Sequence, residues 1–88
     1  MTPAPLPDIR HEPGRFTLEV DGEVAYLAYR MLDDHTIDYA TTFVPPALRL
    51  RGVGVRLVEH ALAYAAERRL TVVSSCWFVQ RVMDAARG

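Results

Sequence analysis

A single α/β domain is the fold this sequence predicts: a mixed sheet of three antiparallel strands and one parallel strand, covered by two helices. Three observations carry that expectation. Alternating apolar residues flank the dipeptide Asp21-Gly22, the local signature of an antiparallel hairpin. Leu57, Val58, Ala61, Leu62, Ala65 and Ala66 recur at helical spacing and form one apolar stripe, which needs a sheet to lie on. That helix stands between two β-rich segments, and a strand–helix–strand connection places its strands parallel and adjacent.

The elements follow in chain order. Residues 1–8 are proline-rich and read as a flexible segment ahead of one domain spanning 9–88. Phe16, Leu18 and Val20 alternate with Thr17 and Glu19 in a half-buried strand. Glu23 to Leu32 continues beyond the turn with both faces apolar, which makes it central. Asp33-Asp34-His35 turns the chain into a third strand, Thr36 to Val44, rich in β-branched and aromatic residues. Pro45-Pro46 breaks that strand, and a helix then runs to about Arg69 with Arg56, Glu59, His60, Glu67 and Arg68 toward water. Leu70 to Ser75 reads as a short buried strand. A last helix, Trp77 to Ala86, turns Val79, Val82 and Met83 inward and takes Ser74 or Ser75 as its cap.

Composition excludes several function classes. Half of the 88 residues are hydrophobic, enough for one packed domain. The net charge is −1 and all ten basic residues are Arg, so there is no broad basic field for nucleic acid and any phosphate binding is local. One Cys rules out an intrachain disulfide framework and fits a reducing compartment. Met1 to Pro7 lacks the basic head and apolar core of a signal peptide, and no apolar run approaches the roughly 20 residues of a membrane span. The expectation is a cytoplasmic protein without membrane association, a monomer or weak homodimer.

The stretch richest in chemistry is Arg49-Leu50-Arg51-Gly52-Val53-Gly54. It follows Phe43-Val44-Pro45-Pro46 and opens the amphipathic helix. Gly52 and Gly54 let backbone N–H groups approach a ligand, and the first helical turn presents unpaired donors and partial positive charge. Arg49, Arg51 and Arg56 add full charges around that turn. The ensemble suits a phosphate or pyrophosphate; the blander alternative is a glycine-containing turn with solvated arginines.

Arg49-x-x-Gly52-x-Gly54 resembles the Q/R-x-x-G-x-G/A signature by which the GNAT superfamily of N-acetyltransferases holds the pyrophosphate of acetyl-CoA. More narrowly, the chain is similar to the GNAT-like family of very small acetyltransferases. The residues that match are Arg15-Phe16-Thr17-Leu18, Asp21-Gly22, Ala25-Tyr26-Leu27, Phe43-Val44-Pro45-Pro46, Leu57-Val58-Glu59 and Ser75-Cys76-x-Phe78-Val79. The resemblance implies a truncated GNAT core whose parallel strands splay into a V that receives the pantetheine arm. It implies cofactor binding by Phe43, Val44, Arg49, Arg51, Gly52, Val53, Gly54, Val55, Arg56, Ser75, Cys76 and Phe78, with no metal. The implied activity is acetyl transfer from acetyl-CoA to an amine of a protein, peptide or small molecule; the alternative is a non-catalytic acyl-CoA-binding or protein-interaction module.

The chain departs from the family pattern in its site. Leu50 stands where relatives usually carry Gly, Thr41 where many place His, and Phe78 where a Tyr is common and can act as general acid. Cys76 is the remaining candidate for a catalytic role. It sits where a strand passes into a helix, a setting that lowers a thiol pKa and favours nucleophilic chemistry. Its other reading is a small buried hydrophobe. His11, His35 and His60 fall in an expected turn, loop and exposed helix, so none is an evident partner. Asp33-Asp34-His35 reads as a solvated turn sooner than a metal site, and Trp77 as a core or dimer contact sooner than a ligand platform. Arg68, Arg69 and Arg81 are candidates for the 3′-phosphate of CoA, the first two being equally favourable charges at a helix C-terminus.

Overall fold

Asp21 and Gly22 both adopt positive φ, 52° and 81°, the backbone of the tight turn that matches the right-handed twist of paired strands. That turn joins β2 (Arg15–Val20) to β3 (Glu23–Asp33) in the computed structural model, which describes residues 8–86. The proposed flexible segment lies, except for Asp8, outside the described residues. β1 (Arg10–Glu12) precedes the hairpin, and β4 (Thr36–Phe43) follows β3. After a 3-10 turn (Pro46–Arg51) come α1 (Val53–Glu67), β5 (Thr71–Ser74) and α2 (Trp77–Ala86). The sheet order is β1-β2-β3-β4-β5 among the described residues; every neighbouring pair is antiparallel except β4 and β5, which run parallel. No helix there is long and apolar enough to cross a membrane.

The architecture is the expected one with an added strand. β1 is short, and the sequence around it carries no apolar alternation; it is held by its pairing with Arg15–Thr17 and by the His11 ring. That ring stacks on Phe16 at 4.4 Å and meets Tyr64 of α1 edge-on at 4.9 Å. His11 therefore belongs to a strand and a packed aromatic group, where a turn was expected. β5 also differs from expectation: as the outer strand it leaves Thr71 and Val73 exposed and is half-buried only on alternate residues.

One face of the sheet makes the core. Phe16, Leu18, Ala25, Leu27, Ile37 and Tyr39 are fully buried beneath Leu57, Val58, Ala61 and Ala65 of α1, with Val79 of α2 beside them. Ala66, placed by the sequence on the apolar stripe, is exposed. The Tyr39 hydroxyl donates to the Ala61 carbonyl, tying strand to helix. Register shifts as Ala28 pairs with Thr41 and Tyr29 with Tyr39, so Ala40 is an extra residue in β4. Such a bulge bends its strand, here just where β4 leaves β5.

α1 ends in a left-handed residue that is not glycine. Arg69 has φ 56°, its N–H donates to the Ala66 carbonyl, and the Leu70 N–H reaches back to Ala65. This is the Schellman arrangement, usually completed by Gly.

Candidate active site

The parallel ladder between β4 and β5 runs from Thr36–Thr71 to Tyr39–Ser74 and stops. β4 continues through Phe43 while the other strand gives way to Ser75, Cys76 and α2. The divergence leaves a cavity of about 420 Å³. Its walls are the end of β4 with the residue after it (Thr42, Phe43, Val44), the glycine turn (Arg49, Gly52, Gly54, Val55), and Cys76 with the start of α2 (Trp77, Phe78).

The glycine turn builds the polar end. Gly52 has φ 73° and serves both as the end of the 3-10 turn and as the residue before α1. The first intrahelical bond of α1 is Arg56 N–H to the Gly52 carbonyl, so the N–H groups of Val53, Gly54 and Val55 have no helical acceptor. No side chain caps them and the first turn holds no acidic residue. Arg49 lies alongside, its Nε donating to the Val44 carbonyl at 3.2 Å. Open space surrounds the α-carbon of Gly52, whereas the space over Gly54 is filled by Phe78 and Val44. The two glycines thus do different work: the first supplies a left-handed backbone, the second admits an aromatic ring.

Cys76 builds the other end. Its thiol points across the divergence to Thr42 Oγ1 at 3.6 Å. It also occupies the capping position of α2, where the backbone N–H groups of Val79 and Phe78 are directed at the sulfur. Burial pushes the thiol pKa up, but the Val79 N–H, the Thr42 hydroxyl and the Phe78 N–H outweigh it and hold the pKa below the ordinary thiol value. Neither serine caps the helix, contrary to expectation. Ser74 Oγ donates to the Tyr39 carbonyl and accepts the Cys76 N–H, while Ser75 is engaged by Asp38.

Eight of the twelve predicted site residues therefore line one cavity: Phe43, Val44, Arg49, Gly52, Gly54, Val55, Cys76 and Phe78. Four do not. Val53 is buried in the core, Arg51 pairs with Asp21 of the hairpin at 3.6 Å, Arg56 is exposed outside the lining, and Ser75 is held away by Asp38. Arg68 and Arg69 sit at the far end of α1, roughly 20 Å along the helix from Gly52. Arg68 lies over the Tyr64 ring at 4.0 Å, so this pair does not join the glycine turn. Asp33 accepts the His35 N–H in an exposed turn, and no cluster of metal-ligating side chains occurs among the described residues. Sequence reasoning missed Thr42; of its two readings of Trp77, a core or a dimer contact, the first fails, since Trp77 is 73% exposed and lines the cavity.

The comparisons with known proteins agree with this fold. A family model described as GCN5-related N-acetyl-transferase matches residues 15–87. The chain belongs to the GCN5-related N-acetyltransferase family. A GCN5-like protein from Staphylococcus aureus, solved by NMR, superposes with a TM-score of 0.74 at 26% identity, covering 90% of this chain and 79% of that one. Among curated proteins, NATD1 of Xenopus tropicalis is 29% identical over 92% of this chain and 78% of its own length. NATD1 of Gallus gallus and of Homo sapiens are each 32% identical over 76% of the chain, matched over 63% and 61% of their own lengths. In this GCN5-related N-acetyltransferase domain the one parallel pair of strands among the described residues, β4 and β5, parts after Tyr39–Ser74.

Proposed function

We propose that this protein transfers an acetyl group from acetyl-CoA to an amine of a peptide, protein or small molecule. The carrying observation is the pairing, across one cavity, of unsatisfied helical N–H donors with a thiol of lowered pKa. The N–H groups of Val53 to Val55 and the guanidinium of Arg49 suit a pyrophosphate. The apolar wall from Phe43 and Val44 to Phe78 suits the pantetheine arm, whose thioester then lies beside Cys76. Bound there, acetyl-CoA supplies the activated acyl group. The Cys76 thiolate attacks its carbonyl carbon, the bond to the CoA sulfur breaks, and CoA leaves as a thiolate. The acceptor amine next attacks the acetyl-cysteine and, losing a proton, restores the Cys76 thiolate.

A second reading, an acyl-CoA-binding module without turnover, is favoured by one observation. Phe78 brings no hydroxyl to the cavity, and no His lines it. Calorimetric titration of acetyl-CoA tests the binding step: the expected result is micromolar affinity, lost in Arg49→Glu and Gly52→Glu. Mass spectrometry after incubation with acetyl-CoA then reads the chemistry. An acetyl adduct on wild type and none on Cys76→Ser supports transfer, whereas binding without adduct or turnover leaves the module. No binding to the folded protein sinks both.

A further inference from the structure

The cleft exists because the β4–β5 ladder stops after Tyr39–Ser74, and side chains stop it. Asp38 stands one residue before that last rung, its side chain only 2% exposed. Its Oδ1 accepts the Ser75 N–H at 3.0 Å, so the strand's next amide is turned to a side chain of β4. The Ser75 hydroxyl donates to the same carboxylate at 3.1 and 2.9 Å, and Arg30 Nε donates from β3 at 3.1 Å. The Ser74 hydroxyl lies between the Tyr39 carbonyl, at 3.2 Å, and the Cys76 carbonyl, at 2.9 Å, and so ties the end of the ladder to the turn into α2. The chain is thereby diverted within one residue of Cys76.

We propose that Asp38 is a positioning residue: by capturing Ser75 it opens the cleft and fixes Cys76 as the cap of α2, with its sulfur facing Thr42. The carboxylate does not itself act as a base, because Ser75 and Arg30 already occupy it. What the cleft holds rests on the acetyltransferase reading; the positioning does not.

The test is the pH dependence of Cys76 alkylation by iodoacetamide, which reports the thiolate fraction and needs no acetyl-CoA. Removing the anion at position 38 makes a nearby thiolate easier to form, which moves the midpoint down. Losing the helix cap moves it up. Asp38→Asn removes the charge and keeps an acceptor for Ser75, so its midpoint is expected at or slightly below wild type. Asp38→Ala and Asp38→Leu lose the acceptor, and their midpoints are expected roughly 0.5–1 pH unit higher. Ser75→Ala retains the N–H contact and is expected to shift less, which keeps the proposal testable should Asp38→Ala fail to fold. Ala65→Gly, in the buried far half of α1, destabilises without touching this contact and is expected to leave the midpoint in place. A midpoint unmoved in Asp38→Ala, or moved equally by Ala65→Gly, overturns the proposal. Acetyl-CoA titration of the same proteins separates the two claims: a thiol shift with no binding by wild type refutes the cofactor and leaves the positioning standing.

Discussion

The ring of Phe78 occupies the space that a side chain on Gly54 would need. A Cβ at position 54 would meet Phe78 Cζ at 3.0 Å, Cε2 at 3.1 Å and Val44 Cγ2 at 3.3 Å. The start of α2, the start of α1 and the end of β4 converge on that point, so one missing side chain lets three elements close the base of the cavity.

Gly54→Ala is therefore expected to destabilise the domain by about 1–3 kcal/mol through overpacking. Urea unfolding checks the figure, and Phe78→Leu supplies the second arm. Because the two positions share one volume, the double variant should lose less than the sum of the singles. Strict additivity would show that the ring has room to move aside.

Gly52 makes the opposite prediction. No atom lies within 4 Å of a Cβ placed there, so substitution meets only the φ of 73°. Gly52→Ala should cost about 1 kcal/mol from backbone strain, and Gly52→Asn less, since Asn tolerates the left-handed region. Equal losses for Ala and Asn in urea midpoints would contradict this account.

Arg69 is a stabilising opportunity. Its φ of 56° completes the Schellman turn with a residue that carries a Cβ. Arg69→Gly is expected to raise stability by roughly 0.5–1 kcal/mol, or some 2–8 °C in Tm for a domain of this size. A fall in Tm would mean that the arginine side chain contributes more than its backbone strain removes.

The His11 contacts predict acid sensitivity confined to a window. Partial burial, then Arg68 and His60, hold the His11 pKa below its ordinary 6.5. The folded state binds the proton less readily than the unfolded chain, so stability is complete above about 6.5 and declines as pH falls from there toward the folded value. His11→Phe should flatten that decline in urea midpoints measured from pH 7.5 to 5. Asp33 and Asp38 act lower. Hydrogen bonds from His35 and Thr36 depress the first; burial raises the second, but the Ser75 hydroxyl and N–H and the Arg30 guanidinium outweigh it. Their contribution is lost as pH falls below 3.8 through their folded values, so a single slope spanning both windows would count against His11.

Most of the fold was legible because it rests on local signals. Asp21-Gly22 announces its hairpin, Pro45-Pro46 a strand end, and the stripe from Leu57 to Ala65 a sheet-facing helix. β1 was illegible for a physical reason: it holds no apolar side chain, and its ring contacts come from a histidine, which no apolar periodicity marks. The glycine turn was legible in part. Neighbouring residues specify its backbone, but where Arg51 and Arg56 point depends on tertiary packing, as the Asp21 contact shows. Thr42 and Asp38 left no trace because their roles depend on partners 34 and 37 residues away. The cap of α2 was misassigned for the same cause: Asp38 and Tyr39 claim the two serines, and the cap falls to Cys76.

The order of assembly follows from how far apart β4 and β5 lie along the chain. The hairpins of β2, β3 and β4 close over short loops, whereas Tyr39 and Ser74 meet across 35 residues. Distant pairings form late, because the chain must surrender more loop entropy before they return any contact. As an edge strand β5 is also short and half-exposed, so it opens from the native state more readily than the three strands between β1 and β5. The cavity is thus completed late in folding, and its β5–α2 side exchanges amide hydrogens sooner than the β4 wall, which the β3–β4 hairpin holds.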